Sequence, residues 1–205
     1  MLQIGVLVSG RGSNLDAILR AIEHGAIKRA RVAVVISNDP TAKALSVARR
    51  HGVKALALES KGTPREEYDA KLAEALRSHG VGPESGLVLL AGFMRILSKQ
   101  FVEAYQGRMM NIHPSLLPAF PGLRAQQQAI SHGVKVAGCT VHFVVPEVDA
   151  GPIIVQKSVP VKEDDDEESL SARILRQEHR IYPLAVKLFA EGRLRVEGSK
   201  VKIAR

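Results

Sequence analysis

An α/β fold, with a mostly parallel central sheet and helices on both faces, is what this sequence predicts, and three observations predict it. Apolar β-branched runs alternate with helix-period segments from the N-terminus onward. The run Gly86-Leu-Val-Leu-Leu-Ala91 is apolar on both faces, as a strand covered by helices must be. A glycine turn, Ser9-Gly10-Arg11-Gly12-Ser13-Asn14, joins the first strand-like run to the first helical one.

The alternation reads in order as Gln3 to Val8 and Asn14 to His24, then Arg31 to Ser37 and Thr41 to His51, then Val53 to Leu58 and Arg65 to His79. Gly86 to Ala91 and Met109 to Ile112 carry the sheet past its midpoint. Cys139 to Val145 and Ile153 to Val161 are strands separated by Pro146-Glu-Val-Asp-Ala-Gly-Pro152, which predicts a mixed C-terminal part. Beyond the acidic run Glu163 to Glu168, a helix is expected from about Glu168 to Ala190, kinked or divided by Pro183 and ended by Gly192. The run itself reads as a favourable charge at a helix N-terminus, with a metal site as the weaker alternative. No repeat or linker breaks the chain, so residues 1–205 are expected to form one domain, with a phosphate-binding half (1–107) and a catalytic half (108–205).

Composition narrows the function. Hydrophobic residues make up 45% and charged residues 24%, as in an ordinary globular chain. Cys139 is the only cysteine, which excludes an internal disulfide and a Cys-rich zinc site and fits a cytoplasmic protein. No long apolar segment marks a membrane span and no leader pattern marks export. The net charge of +8 points toward anionic partners. Charge alone does not choose between nucleic acid and small anionic molecules, but because the basic residues are scattered and aromatics to stack bases are few, an ordinary solvated surface fits better than nucleic-acid binding.

Two segments carry chemistry. The Ser9 to Asn14 turn can aim backbone N–H groups and a helix N-terminus at an anion, although a plain helix cap explains it equally well. Its spacing is neither that of an ATP-binding P-loop nor that of a dinucleotide fingerprint. In Met110-Asn111-Ile112-His113-Pro114, Asn111 and His113 stand two apart on one strand face, and Pro114 ends the strand. An amide that donates without titrating, beside an imidazole that carries protons near neutrality, suits attack on a carbonyl carbon. Asp149 can orient that imidazole, or it can be a plain turn aspartate. His24, His51, His79, His132, His142 and His179 lack metal-ligand spacing, and Ser115 lacks a nucleophile elbow, so zinc hydrolysis and serine esterase chemistry are disfavoured.

Nearly the whole chain resembles the formyltetrahydrofolate-dependent formyltransferases. The landmarks are S-G-R-G-S-N (9 to 14), L-A-G-F-M-R-I-L (90 to 97), N-I-H-P-S-L-L-P (111 to 118), F-P-G (120 to 122), V-D-A-G-P (148 to 152) and Q-E-H-R-I-Y-P (177 to 183). The resemblance implies a Rossmann-like formyltransferase fold and 10-formyltetrahydrofolate as co-substrate, with no metal. The first and last landmarks imply glycinamide ribonucleotide as acceptor, in purine synthesis. It further implies that Asn111, His113 and Asp149 are catalytic and that Gly12, Ser13, Asn14 and Glu178 hold the ribonucleotide. Arg65, Met94, Arg95, Ile96, Leu97, Asn111, Val144 and Asp149 would contact the folate. Partners would be small molecules, with no nucleic acid and no membrane, and the protein a monomer or homodimer. Three positions depart from the family pattern: Arg124-Ala125-Gln126 where histidines are frequent, Ala150 where a second glycine is frequent, and Leu175 where a polar residue often sits. Rival readings are a formyltetrahydrofolate hydrolase, a methionyl-tRNA formyltransferase, and a nucleotide-binding module without catalysis.

Overall fold

In a computed structural model describing residues 1–204, one sheet runs through both halves of the chain. Its parallel part comprises β1 (Leu2–Val8), β2 (Ala30–Ser37), β3 (Ala55–Ala57), β4 (Leu87–Leu90) and β5 (Met109–His113). The helices α1 (Ser13–Glu23), α2 (Lys43–Arg50), α3 (Arg65–Ser78) and α4 (Lys99–Ala104) connect them. Then α5 (Ala125–Ser131) leads to β6 (Val136–Phe143) and β7 (Ile153–Pro160), both antiparallel to their predecessors. The long α6 (Glu167–Ala190) follows, and a hairpin of β8 (Leu194–Glu197) and β9 (Lys200–Ile203) closes the described chain. The strand order is β3-β2-β1-β4-β5-β6-β7-β9-β8.

Burial explains the layers. From Ile4 to Val8 β1 is buried apart from its glycine position's missing side chain, and Leu87, Val88 and Leu89 of β4 are fully covered, as the two-faced apolar runs require. One face packs α1, α2, α5 and α6 through Leu15, Ile18, Ala44, Ala129, Ile174 and Tyr182. The other packs α3 and α4 through Tyr68, Leu72, Leu76 and Phe101. On β5 the alternation assigns Met110 and Ile112 to the first face and Met109 to the second. Asn111 and His113 therefore belong to the second face.

The sheet reverses its winding between β1 and β4, so the loops after those strands diverge and leave a crevice at their carboxyl ends. Both chemistry-bearing segments of the sequence lead into it. Three short elements escaped the sequence pattern: α4, α5 and the terminal hairpin. Pro183 does not divide the long helix, since α6 is continuous through it. Tyr182, Ile181, Ala185 and Val186 are buried around that position, and the Tyr182 hydroxyl donates to the carbonyls of Leu90 and Met110 at 3.0 and 3.1 Å. Packing on both sides of the proline holds the helical backbone together across it.

Candidate active site

At the end of β1 the turn delivers Gly12 as the N-cap of α1 in a left-handed conformation, φ 82°. A Cβ there would lie 2.7 Å from the Ala44 Cα, so the position needs glycine for both its backbone and its space. No side chain caps α1, which leaves its first N–H groups for an outside acceptor. They open on a cavity of about 840 Å³ lined by Ser9 to Asn14, Ala91, Gly92, Met94, Ile112, Pro114 and one side of α6. Asn14 donates to Glu178 at 2.7 Å, while its own amide oxygen is buried without a partner. Burial pushes the Glu178 carboxyl up from its ordinary range, opposed in part by that hydrogen bond. The four residues implied for ribonucleotide binding thus line one cavity.

The second cluster forms at the end of β5. His113 Nδ1 is 3.3 Å from Asp149 Oδ2, and its Nε2 donates to the Phe120 carbonyl at 2.8 Å. Both ring nitrogens thus face acceptors, which fixes the plane of the ring. Asp149 also accepts from the Gly122 backbone at 2.8 Å, which fixes its carboxylate. It sits at φ 53°, a left-handed conformation uncommon outside glycine. The neighbouring Gly151 is packed so tightly that a Cβ would overlap the Phe143 carbonyl. The loop carrying Asp149 is therefore pinned to β6. A polar layer beneath the cluster anchors the segment after β5: Leu117 N donates to Thr140, Thr140 to the Ser115 carbonyl, and Gln156 to the Leu117 carbonyl, at 3.1, 2.7 and 2.9 Å.

Asn111 brings in a residue that the sequence reading passed over. It lies opposite His142 in the β5–β6 register, and its Nδ2 is 3.3 Å from His142 Nε2. His142 Nδ1 donates to the Phe143 carbonyl at 2.9 Å, and burial lowers the pKa of this ring. His142 was set aside for lacking metal spacing. Its signal was the alternation in Cys139 to Val145, which puts Thr140 and His142 as polar residues on one face of a buried strand.

The segments implied for folate flank this cluster. Met94, Ile96 and Val148 are large apolar side chains left exposed, at 69%, 59% and 58%, whereas Leu97 is buried. The Ser9 hydroxyl accepts from Met94 N at 2.7 Å, tying that segment to the glycine turn. Val144 N donates to the Met109 carbonyl at 2.9 Å. The Arg95 side chain turns inward, over the Tyr68 ring at 4.5 Å, and donates to the carbonyls of Ser60 and Thr63 at 3.1 and 2.9 Å. It clamps the loop that leads to Arg65, which stands exposed at the first position of α3 and meets neither cluster directly.

Comparison with known proteins accounts for this arrangement. The chain is 55% identical to glycinamide ribonucleotide transformylase 1 of Symbiobacterium toebii, whose crystal structure it matches with a TM-score of 0.95 over 100% of this chain and 95% of that one. It is 46% identical over 196 residues to the phosphoribosylglycinamide formyltransferase of Escherichia coli K12, spanning 95% of this chain and 90% of the relative. Against the trifunctional purine biosynthetic protein adenosine-3 of Drosophila melanogaster the identity is 46% over 192 residues, and the matched region spans only 14% of that longer protein. The formyl transferase family profile covers residues 2–186, and the chain belongs to that family.

Proposed function

We propose that this chain transfers the formyl group of 10-formyltetrahydrofolate to the amine of glycinamide ribonucleotide in purine biosynthesis. The observation that carries the reading is a juxtaposition across one strand end: Ile112 and Pro114 line the cavity of the glycine turn, while Asn111 and His113 stand on the opposite face with Asp149. A phosphorylated amine held by Gly12, Ser13, Asn14 and Glu178 reaches the strand end from one side. A formyl donor lying along Val144 to Asp149 and Met94 to Leu97, with its tail toward Arg65, meets it at that strand end, where Met94 also borders the acceptor cavity.

The amine attacks the formyl carbon and negative charge develops on the carbonyl oxygen. Asn111 donates an N–H to that oxygen, and protonated His113 stabilises it and passes a proton to the departing folate nitrogen as the carbon–nitrogen bond breaks, the proton shed by the attacking amine restoring the imidazole. Asp149, 3.3 Å from Nδ1, keeps the imidazole oriented. For His113 Nε2 to act, the Phe120 carbonyl that it now faces must yield. The chemistry is positioning and electrostatics by this chain's own groups, and no step calls on a metal.

Both substrates are small molecules, and we expect a cytoplasmic monomer or homodimer that needs no nucleic acid. No helix among the described residues is long and apolar enough to cross a membrane. Removing one oxyanion donor costs roughly 100- to 1000-fold in rate, so Asn111→Ala should lose about that much kcat while KM for both substrates changes little. Near-normal turnover in the purified variant would refute the assignment. Supplying formyl donor with the ribonucleotide, with water alone and with charged initiator tRNA separates transfer to this acceptor from hydrolysis and from tRNA formylation.

A further inference from the structure

We infer that Arg11 is the residue by which this chain selects a phosphorylated acceptor over its dephosphorylated counterpart, an inference that rests on the proposed acceptor. The cavity at the glycine turn is lined by three glutamates, Glu167, Glu168 and Glu178, and Arg11 is the one cation among its lining residues. That is an unfavourable balance for an anion. Burial drives Glu178 toward its neutral form. Glu167 is drawn toward Arg124, 3.8 Å away and outside the lining. Glu168 stays as an exposed carboxylate facing the incoming ligand.

Arg11 itself is exposed, and among the described residues it takes no part in any side-chain hydrogen bond or ion pair. Elsewhere the arginines near charged partners are engaged: Arg20 with Asp16 at 2.7 Å, and Arg173 with Asp165 on both of its terminal nitrogens. An arginine kept free two residues before the N-terminus of α1 can swing over an anion seated on that terminus. Its guanidinium presents two parallel donors to two phosphate oxygens, which the turn's single backbone N–H groups cannot. On the far wall, Leu175 offers a phosphate nothing. The turn therefore supplies the seat and Arg11 supplies the charge that makes the seat prefer a phosphate to a hydroxyl.

The test is calorimetric titration of the unaltered chain, Arg11→Ala and Arg11→Lys with glycinamide ribonucleotide and with the corresponding riboside, alongside steady-state kinetics with the ribonucleotide. Loss of a charge-assisted contact should raise Kd and KM for the ribonucleotide about tenfold or more in Arg11→Ala, with kcat within about twofold. The rise for the riboside should be smaller by about fivefold or more, added salt should narrow the difference, and Arg11→Lys should recover part of the ribonucleotide affinity. Equal shifts for both ligands, or no shift for either, would overturn the role of Arg11. If the unaltered chain neither binds nor formylates the ribonucleotide, the proposed acceptor is wrong and this inference falls with it.

Discussion

An asparagine can stabilise a developing oxyanion only if its N–H groups face the reaction, and the partner of Asn111 dictates that orientation. His142 spends Nδ1–H on the Phe143 carbonyl, and burial lowers its pKa against the opposing pull of Asp149, 3.7 Å from Nε2; in the neutral ring, Nε2 carries a lone pair. Asn111 must then present its NH2 to His142, which keeps one N–H in that bond and frees the second. His142→Phe removes the acceptor and lets the amide rotate. We expect kcat to fall by about ten- to a hundredfold with KM for either substrate little changed, and His142→Gln, whose side chain can still accept, to recover part of the loss. A variant whose two constants move together would show that His142 serves only packing. At this scale the sequence was partly legible. The two-residue spacing put Asn111 and His113 on one face, but nothing local ties either to Asp149 or to His142, which are brought in by loop geometry and strand register far along the chain.

Among elements, the N-terminus of α1 carries the cavity turn, and α1 is clasped to α2 by one histidine. His51, at the end of α2, is 3.0 Å from Asp16 and 2.6 Å from Glu23, both on α1. Its pKa is raised, first by the hydrogen bond to Asp16 and then by that to Glu23, against some burial. Arg20 pairs with the same Asp16, and the half-buried His179 of α6 lies within range of that charge. Because the folded pKa lies above the unfolded value near 6.5, the clasp contributes fully below that pH and is lost as pH rises through the folded value. His51→Gln should therefore lower Tm by about 1–3 °C near pH 6 and by less near pH 9, since a partly exposed ion pair is worth little. Thermal melts at the two pH values decide it, and a gap that widens with pH would contradict the clasp. The helices with clear apolar stripes, α1 and α3, were legible. The six- and seven-residue α4 and α5 were not, because so short a helix draws its stability from docking rather than from its own period.

For the whole molecule, we propose that the two halves form one folding unit, because the hydrogen bonds between β4 and β5 and the one from the Tyr182 hydroxyl to the Leu90 carbonyl cross the boundary between them. Chemical denaturation followed by far-ultraviolet dichroism and by the near-ultraviolet tyrosine signal should give coincident single transitions; separated midpoints would mean that the halves unfold independently. The fold class was readable because parallel sheets impose apolar runs of a recognisable length. The hairpin of β8 and β9 was not, since its four-residue strands alternate charged with apolar residues that stay largely exposed, and reach the sheet through a single pairing, Ile153 with Lys200. The placement of Ile112 and Asn111 on opposite sides of β5 has a further consequence. In the proposed reaction the groups that hold the recipient and those that break the carbon–nitrogen bond lie on opposite sides of one strand, so substitutions aimed at a new recipient can be placed on the cavity side without replacing a bond-breaking side chain.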